Sequence, residues 1–277
     1  MQSLLTLSPP ARWSTNWSDR LPAALLLLMA LCASTAQAAC VRDEPGRLWN
    51  YIGTLAGKHP VRMVLVFSGT QVQGVYTYAS SLRDLRVAGT LADASRLTLQ
   101  EQDAKGTITG RFDVTFPERD PGNTYGDSAL TCDVIAGQWR KADINGQPIG
   151  EPLSVYLRTE GATSGGLGKR YGGIGVRDDE VVNAGAARFW RGVKAGDKAA
   201  VAATLRYPMT VSVNGKGTRI TSAAALIAVY DAVFTQAYRD ALLADIPRHL
   251  FVRDQGAMLA NGAAWVGANG KVIAINN

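Results

Sequence analysis

The chain has 277 residues, 47% of them hydrophobic and 19% charged, with a formal net charge of +6. That balance indicates a globular protein and excludes a disordered or collagen-like chain. Its basic residues are scattered, as at Arg83 and Arg86, Lys169-Arg170, Arg188 and Arg191, and Arg248 and Arg253, with no Lys/Arg run interleaved with aromatics. Nucleic acid is therefore not an expected partner.

The N-terminal region reads as a leader. A polar stretch with Arg12, Asp19 and Arg20 precedes an apolar run of 13 residues at 21–33, and Ala36-Gln37-Ala38 offers an A-x-A cleavage site. That order is the pattern of a secretory signal peptide. The run is short of the roughly 20 residues a membrane-spanning helix needs. Residues 1–38 are accordingly expected to be removed, leaving an exported, periplasmic chain of charge +5 and no membrane span. Of the cysteines Cys32, Cys40 and Cys132, only the last two survive cleavage. In an oxidising compartment they are expected to pair as a Cys40–Cys132 disulfide. The competing reading makes Cys40 the lipidated first residue of a lipoprotein, but Gln37 stands where that signal has Leu.

Residues 39–159 are read as an all-β domain. Short period-two runs begin near 51, 61, 72, 85, 96, 107, 134 and 153, with turn residues between them. Strands at such regular spacing indicate an antiparallel meander that rolls into a barrel or a sandwich. The run Val61–Phe67 is apolar on both parities except at Arg62, so this strand is expected to be covered on both faces. Glycines recur inside the strands at Gly53, Gly74, Gly89, Gly110 and Gly137, as strong curvature requires. The apolar-x-Gly-x-aromatic wording at 72–76 and 109–112 resembles small lipocalin- or avidin-shaped extracytoplasmic barrels. The resemblance implies a barrel that binds one small ligand or a protein surface. The connection at 119–127 carries Asp120, Asn123 and Asp127, but these are turn residues without calcium-loop spacing, and no metal site is expected.

Residues 160–177 hold the glycine-rich stretch EGATSGGLGKRYGGIG. Lys169 is followed by Arg170 and Tyr171, not Ser or Thr, so it is not a phosphate loop and reads as a linker.

Residues 178–277 are read as α+β. Asp178-Asp179-Glu180 opens a helix, Asp197 caps a second, and Asn214-Gly215 marks a hairpin turn. Ser222 then caps the stretch 222–245, whose apolar residues Leu226, Val229, Tyr230, Val233, Phe234, Tyr238 and Leu242 recur at helical spacing, with a break expected near Phe234-Thr235. Strands follow at 248–253, 256–265 and 271–275. Several landmarks lie along this order: Phe189-Trp190 before Gly196-Asp197, Leu205-x-Tyr207-Pro208, Ile220-Thr221-Ser222 into Tyr230-Asp231, and 256–265 into 273–276. It resembles the nuclear transport factor two-like superfamily, which implies helices packed on a bent antiparallel sheet, a cone with a pocket.

Catalytic members of that superfamily place a carboxylate or His with a Tyr in the cone. The resemblance therefore nominates Tyr207, Tyr230, Asp231, His249 and Trp265 as pocket residues. Asp231, beside the apolar stripe, is a candidate buried base or, equally, a cap or the partner of an Arg, and His249 at a strand start reads as an exposed turn residue. No nucleophile motif and no zinc spacing is present, so no cofactor is expected. The leading expectation is an exported, non-catalytic envelope protein that binds a small apolar ligand or a protein partner, for instance as an immunity or inhibitor protein. The alternatives are an enzyme of the cone superfamily acting on a small hydrophobic substrate, and an assembly factor that pairs as a homodimer through its open sheet.

Overall fold

The computed structural model describes residues 44, 46–93, 95–117, 121–122, 133–254 and 256–277. The leader, Cys40, Cys132 and most of the 119–127 connection lie outside the described residues. Eight antiparallel strands close a barrel: β1 (Arg47–Leu55), β2 (His59–Ser68), β3 (Gln71–Tyr78), β4 (Asp84–Ala92), β5 (Arg96–Gln102), β6 (Ile108–Thr115), β7 (Val134–Ala142) and β8 (Pro148–Ser164). Each pairs with the next, and β8 returns to β1. Alternation sends Tyr51, Met63, Leu65, Tyr76, Leu99, Phe112 and Leu157 into one interior cluster, so the barrel is filled by its own side chains. The strand glycines permit the curvature. A Cβ on Gly74 would sit 2.1 Å from the Val64 carbonyl oxygen, and one on Gly89 would sit 1.8 Å from that of Thr98.

The C-terminal region follows in helices and small sheets. The helices are α1 (Asp179–Ala195), α2 (Lys198–Thr204), α3 (Ala223–Ala228), α4 (Tyr230–Val233) and α5 (Gln236–Leu243). Asp178, Asp197, Ser222 and Thr235 each accept a backbone N–H at a helix start, and those carboxylates and hydroxyls define four of the five N-termini. The stretch 222–245 is thus not one helix. It breaks at Val229 and again at Phe234-Thr235, yet Leu226, Tyr230, Val233, Phe234, Tyr238 and Leu242 remain buried on one side. The hairpin β9 (Met209–Val213) and β10 (Lys216–Ile220) turns on Asn214 and Gly215, both at positive φ.

A four-stranded antiparallel sheet completes the chain: β11 (Phe251–Arg253), β12 (Gly256–Leu259), β13 (Ala264–Val266) and β14 (Val272–Ile275). The expected single strand at 256–265 is two, because Ala260, Asn261 and Gly262 take positive φ and reverse the chain. Asn277 joins this sheet to the hairpin, accepting from Ser212 N at 3.0 Å and donating to Ser212 O at 2.7 Å. Among the described residues no helix is long and apolar enough to cross a membrane.

Barrel and C-terminal region belong to one compact unit, Ala39–Asn277. The glycine-rich stretch expected as a linker is built into it: β8 runs to Ser164, and a 3-10 turn at Arg170–Ile174 buries Arg170 and Tyr171. The doubly covered strand is also present. Met63 and Leu65 face the barrel interior, while Arg62 and Val64 on the opposite face are buried as well.

Candidate functional site: a polar seam on the barrel wall

The outer face of β1–β4 meets the C-terminal region through charged side chains. Arg62, 1% exposed, stands at its centre on β2. Its Nη1 donates to the carbonyls of Ile246 (2.7 Å) and Arg248 (3.1 Å), and its Nη2 to Glu160 Oε1 (2.9 Å) and Asp245 Oδ1 (2.8 Å). Burial works against this charge, but Asp245 and Glu160 outweigh it, and the guanidinium pKa lies above its ordinary value. Asp245 is further held by the N–H groups of Ile246 and Ala260.

Arg170 forms a second tie. Its Nη1 donates to Asn50 Oδ1 and to the Leu250 carbonyl, while its own N–H and that of Tyr171 donate to Asp179 at the start of α1. Burial, with Arg62 nearby, lowers the Arg170 pKa to about 10. The Tyr171 hydroxyl donates to Asn183 Oδ1 and accepts from Leu250 N, and burial pushes its pKa up to about 12. Asn183 also takes the His249 N–H, so α1 grips the 248–250 turn.

Asp84 at the start of β4 makes the third tie. It accepts from Thr77 Oγ1 (2.6 Å), from Arg248 Nε (2.6 Å) and Nη2 (2.8 Å), and from His249 Nε2 (2.7 Å). Arg248 extends the chain of charge to both oxygens of Glu180. Burial alone would raise the Asp84 pKa, but its bonds to Arg248, His249 and Thr77 hold it well below the usual carboxylate range. Burial lowers the His249 pKa against the pull of Asp84, and Arg170 and Arg248 add to the lowering. The neutral ring therefore donates Nε2–H to an ionised Asp84 at neutral pH.

Two cavities open along the seam. One, of about 250 Å³, lies among Val64, Asp84, Arg170, Glu180, Arg248 and His249. The other, of about 510 Å³, has apolar walls from Ile52, Phe251 and Met258 and a polar end from Arg62, Glu160 and Asp245. Three buried atoms in the seam, Arg62 Nε, Arg170 Nη2 and Glu160 Oε2, have no hydrogen-bond partner among the described residues. Among the described residues no group of three or more His, Cys, Asp or Glu side chains is arranged to hold a metal ion.

Of the residues nominated from sequence, only His249 reaches this seam, and it is buried, not exposed, because Asp84 and Asn183 draw it in. Asp231 is not a buried base: its side chain is 75% exposed and pairs with Lys198 at 2.7 Å. The preceding residue, Tyr230, takes the core-facing position, and successive residues on a helix point about 100° apart. Tyr230 stacks on Phe234 at 4.5 Å, and its buried hydroxyl has no hydrogen-bond partner among the described residues. Tyr207 donates to the Ala202 carbonyl, and Trp265 lies half-buried on β13. None of these four lines either seam cavity. Arg62, Asp84, Glu160, Arg170 and Arg248 were not nominated, although a lone Arg in an apolar strand run was a legible sign for the first.

No protein-family model, no curated protein and no solved structure matches this chain.

Proposed function

We propose that this is an exported, non-catalytic binding protein that holds a small ligand in the larger seam cavity. The supporting observation is the chemistry of that cavity. About 510 Å³ of space bordered by apolar Ile52, Phe251 and Met258 is also bordered by Glu160 and Asp245, both of which pair with Arg62. Its volume falls in the range of small-molecule sites, which favour junctions between regions. Glu160 and Asp245 against Arg62 leave a net negative end, so the ligand has an apolar body and a hydrogen-bond donor such as an amine. The ionisable groups of the seam support binding over turnover, because Asp84, Asp245 and Arg248 are each committed to several structural bonds.

The region 178–277 is read as a nuclear transport factor two-like cone and the barrel as lipocalin- or avidin-shaped, forming two domains. Support for the cone comes from the order of helices and strands and from the Asn277–Ser212 link between hairpin and sheet. A second reading, an enzyme, is favoured by the Asp84–His249 pair beside the smaller cavity, with His249 held at a positive φ of 54°. Measurable turnover by the purified protein that disappears in His249→Asn would establish the enzyme instead.

Native mass spectrometry of the protein recovered from its own envelope extract tests the binding reading. The expected spectrum has an added mass of a few hundred daltons that is lost on denaturation. It should be absent from Ala244→Phe, in which an exposed rim residue of the cavity is enlarged. A bare mass for the native protein, or an adduct retained in that variant, would reject the larger cavity as the site.

A further inference from the structure

A third concavity along α1 shares no lining residue with the two seam cavities. It measures about 430 Å³ and lies between α1, α2 and the turn before β14. Arg188 and Arg191 border it from α1, one helical turn apart on the same face, and Lys271 borders it from the turn. Both arginines are exposed, and among the described residues neither has an ion pair or hydrogen bond. Two like charges at this spacing repel and disfavour the helix unless something compensates them.

The third cation is positioned by the fold. Gly185 lets the turn approach α1: a Cβ there would lie 2.1 Å from the Gly270 carbonyl oxygen. Gly270 itself takes a φ of +70°, Asn269 Oδ1 accepts from Lys271 N, and Lys271 Nζ donates to the Ala203 carbonyl at 2.7 Å. Gly192 and Ala195 leave the floor between the cations free of large side chains. Asp197 is the one acidic residue of the lining, and its Oδ1 is used to cap α2. Glu180, in the adjoining hollow that Arg188 and Arg191 also border, is taken by Arg248.

We propose that this groove binds a phosphate group carried on a small organic body. Three cations and one carboxylate leave a net +2, the complement of a phosphate dianion. Guanidinium forks present paired donors that match phosphate oxygens, and a pinned ammonium adds a point charge. The small-residue floor accommodates the organic part. The phosphate could be that of a soluble ester or of a lipid headgroup, and the chemistry at the groove is the same.

Titration calorimetry at low salt with inorganic phosphate and with phenyl phosphate tests this directly. Both should bind, the ester more tightly. The double variant Arg188→Ala/Arg191→Ala should weaken both by about tenfold or more, the loss expected for a charge-assisted bond. Its thermal midpoint should not fall, since both side chains are exposed and their mutual repulsion is removed. Lys105→Ala, which removes an exposed cation from the barrel, should bind as the parent does. Flotation with phosphatidylglycerol vesicles separates the sources: retention that the double variant abolishes identifies the headgroup, and ester binding without flotation identifies a soluble phosphate. Absence of binding to phosphate, ester and vesicle alike, or equal binding by the double variant, would overturn the proposal.

Discussion

Two buried polar clusters in this molecule solve the same problem differently. Inside the barrel, Glu101 is 5% exposed and accepts from three neutral donors, the Tyr76 and Thr109 hydroxyls and the Trp139 indole N–H. On the barrel's outer wall, Arg62 is as buried but is met by two carboxylates and two backbone carbonyls. The Glu101 partners come from β3, β6 and β7, all within the barrel. Gly110, opposite Glu101 on β6, has no side chain, so the Trp139 ring lies over it. The Arg62 partners come from the end of β8 and from residues 245–248, nearly two hundred positions along the chain. A carboxylate among neutral donors is a local device that completes one barrel. An arginine between carboxylates needs two regions in register before any of its charge is compensated.

The largest test of that contrast is Arg62→Met. It removes the cation while Glu160 and Asp245 stay in the seam, and breaking a buried pair in this way costs about 3–5 kcal/mol. Chemical denaturation should show a loss of that size, with the barrel interior and the C-terminal region no longer unfolding in one transition. A loss under about 1 kcal/mol, within the range of an exposed pair, would mean the seam is solvated in solution. A smaller effect is expected of Glu101→Gln. The amide accepts fewer bonds and turns an NH2 toward the existing donors, leaving about one donor unsatisfied at about 1–3 kcal/mol. Here the transition should stay single, since only the barrel interior changes. If the two variants proved equally costly, the distinction between neutral and ionic compensation would fail.

The smallest effect is in the pH dependence of the seam. His249 has a folded pKa below its ordinary 6.5, so the unfolded chain takes up the proton first. Its contribution is present above about pH 6.5 and is lost as the pH falls through the folded value. Asp84 has the same sign at lower pH: its contribution is present above its ordinary 3.8 and is lost as the pH falls toward the depressed folded value. His249→Asn retains a residue that tolerates positive φ and should flatten the stability profile just below pH 6.5, leaving the Asp84 limb further down. A variant whose profile overlays the parent across that window would show that His249 titrates alike in the folded and unfolded states.

Much of the local structure was legible in residues whose effect is short-ranged. Asp178, Asp197 and Ser222 cap the helices expected from them, Asn214-Gly215 turns the hairpin, and Gly53, Gly74, Gly89 and Gly137 stand where neighbouring backbone carbonyls leave no room for a Cβ. The candidate site was far less legible. Asp231 reads as part of an apolar stripe, yet it points outward because Tyr230 occupies the inner position. His249 reads as an exposed turn residue, yet the chain buries it against Asp84, 165 positions away.

The sequence by itself determined the elements of this protein. Period-two and helical spacing, caps and turn residues act over a few positions, and they specified a β-meander followed by helices and short strands. Tertiary structure alone decided that the meander closes β8 onto β1, and that Arg62 and Asp84 on its wall hold the 245–250 segment. The physical reason is one of range. A hydrogen bond to a neighbouring N–H is encoded where it is made, whereas a buried charge is compensated by residues that only the folded chain brings within 3 Å.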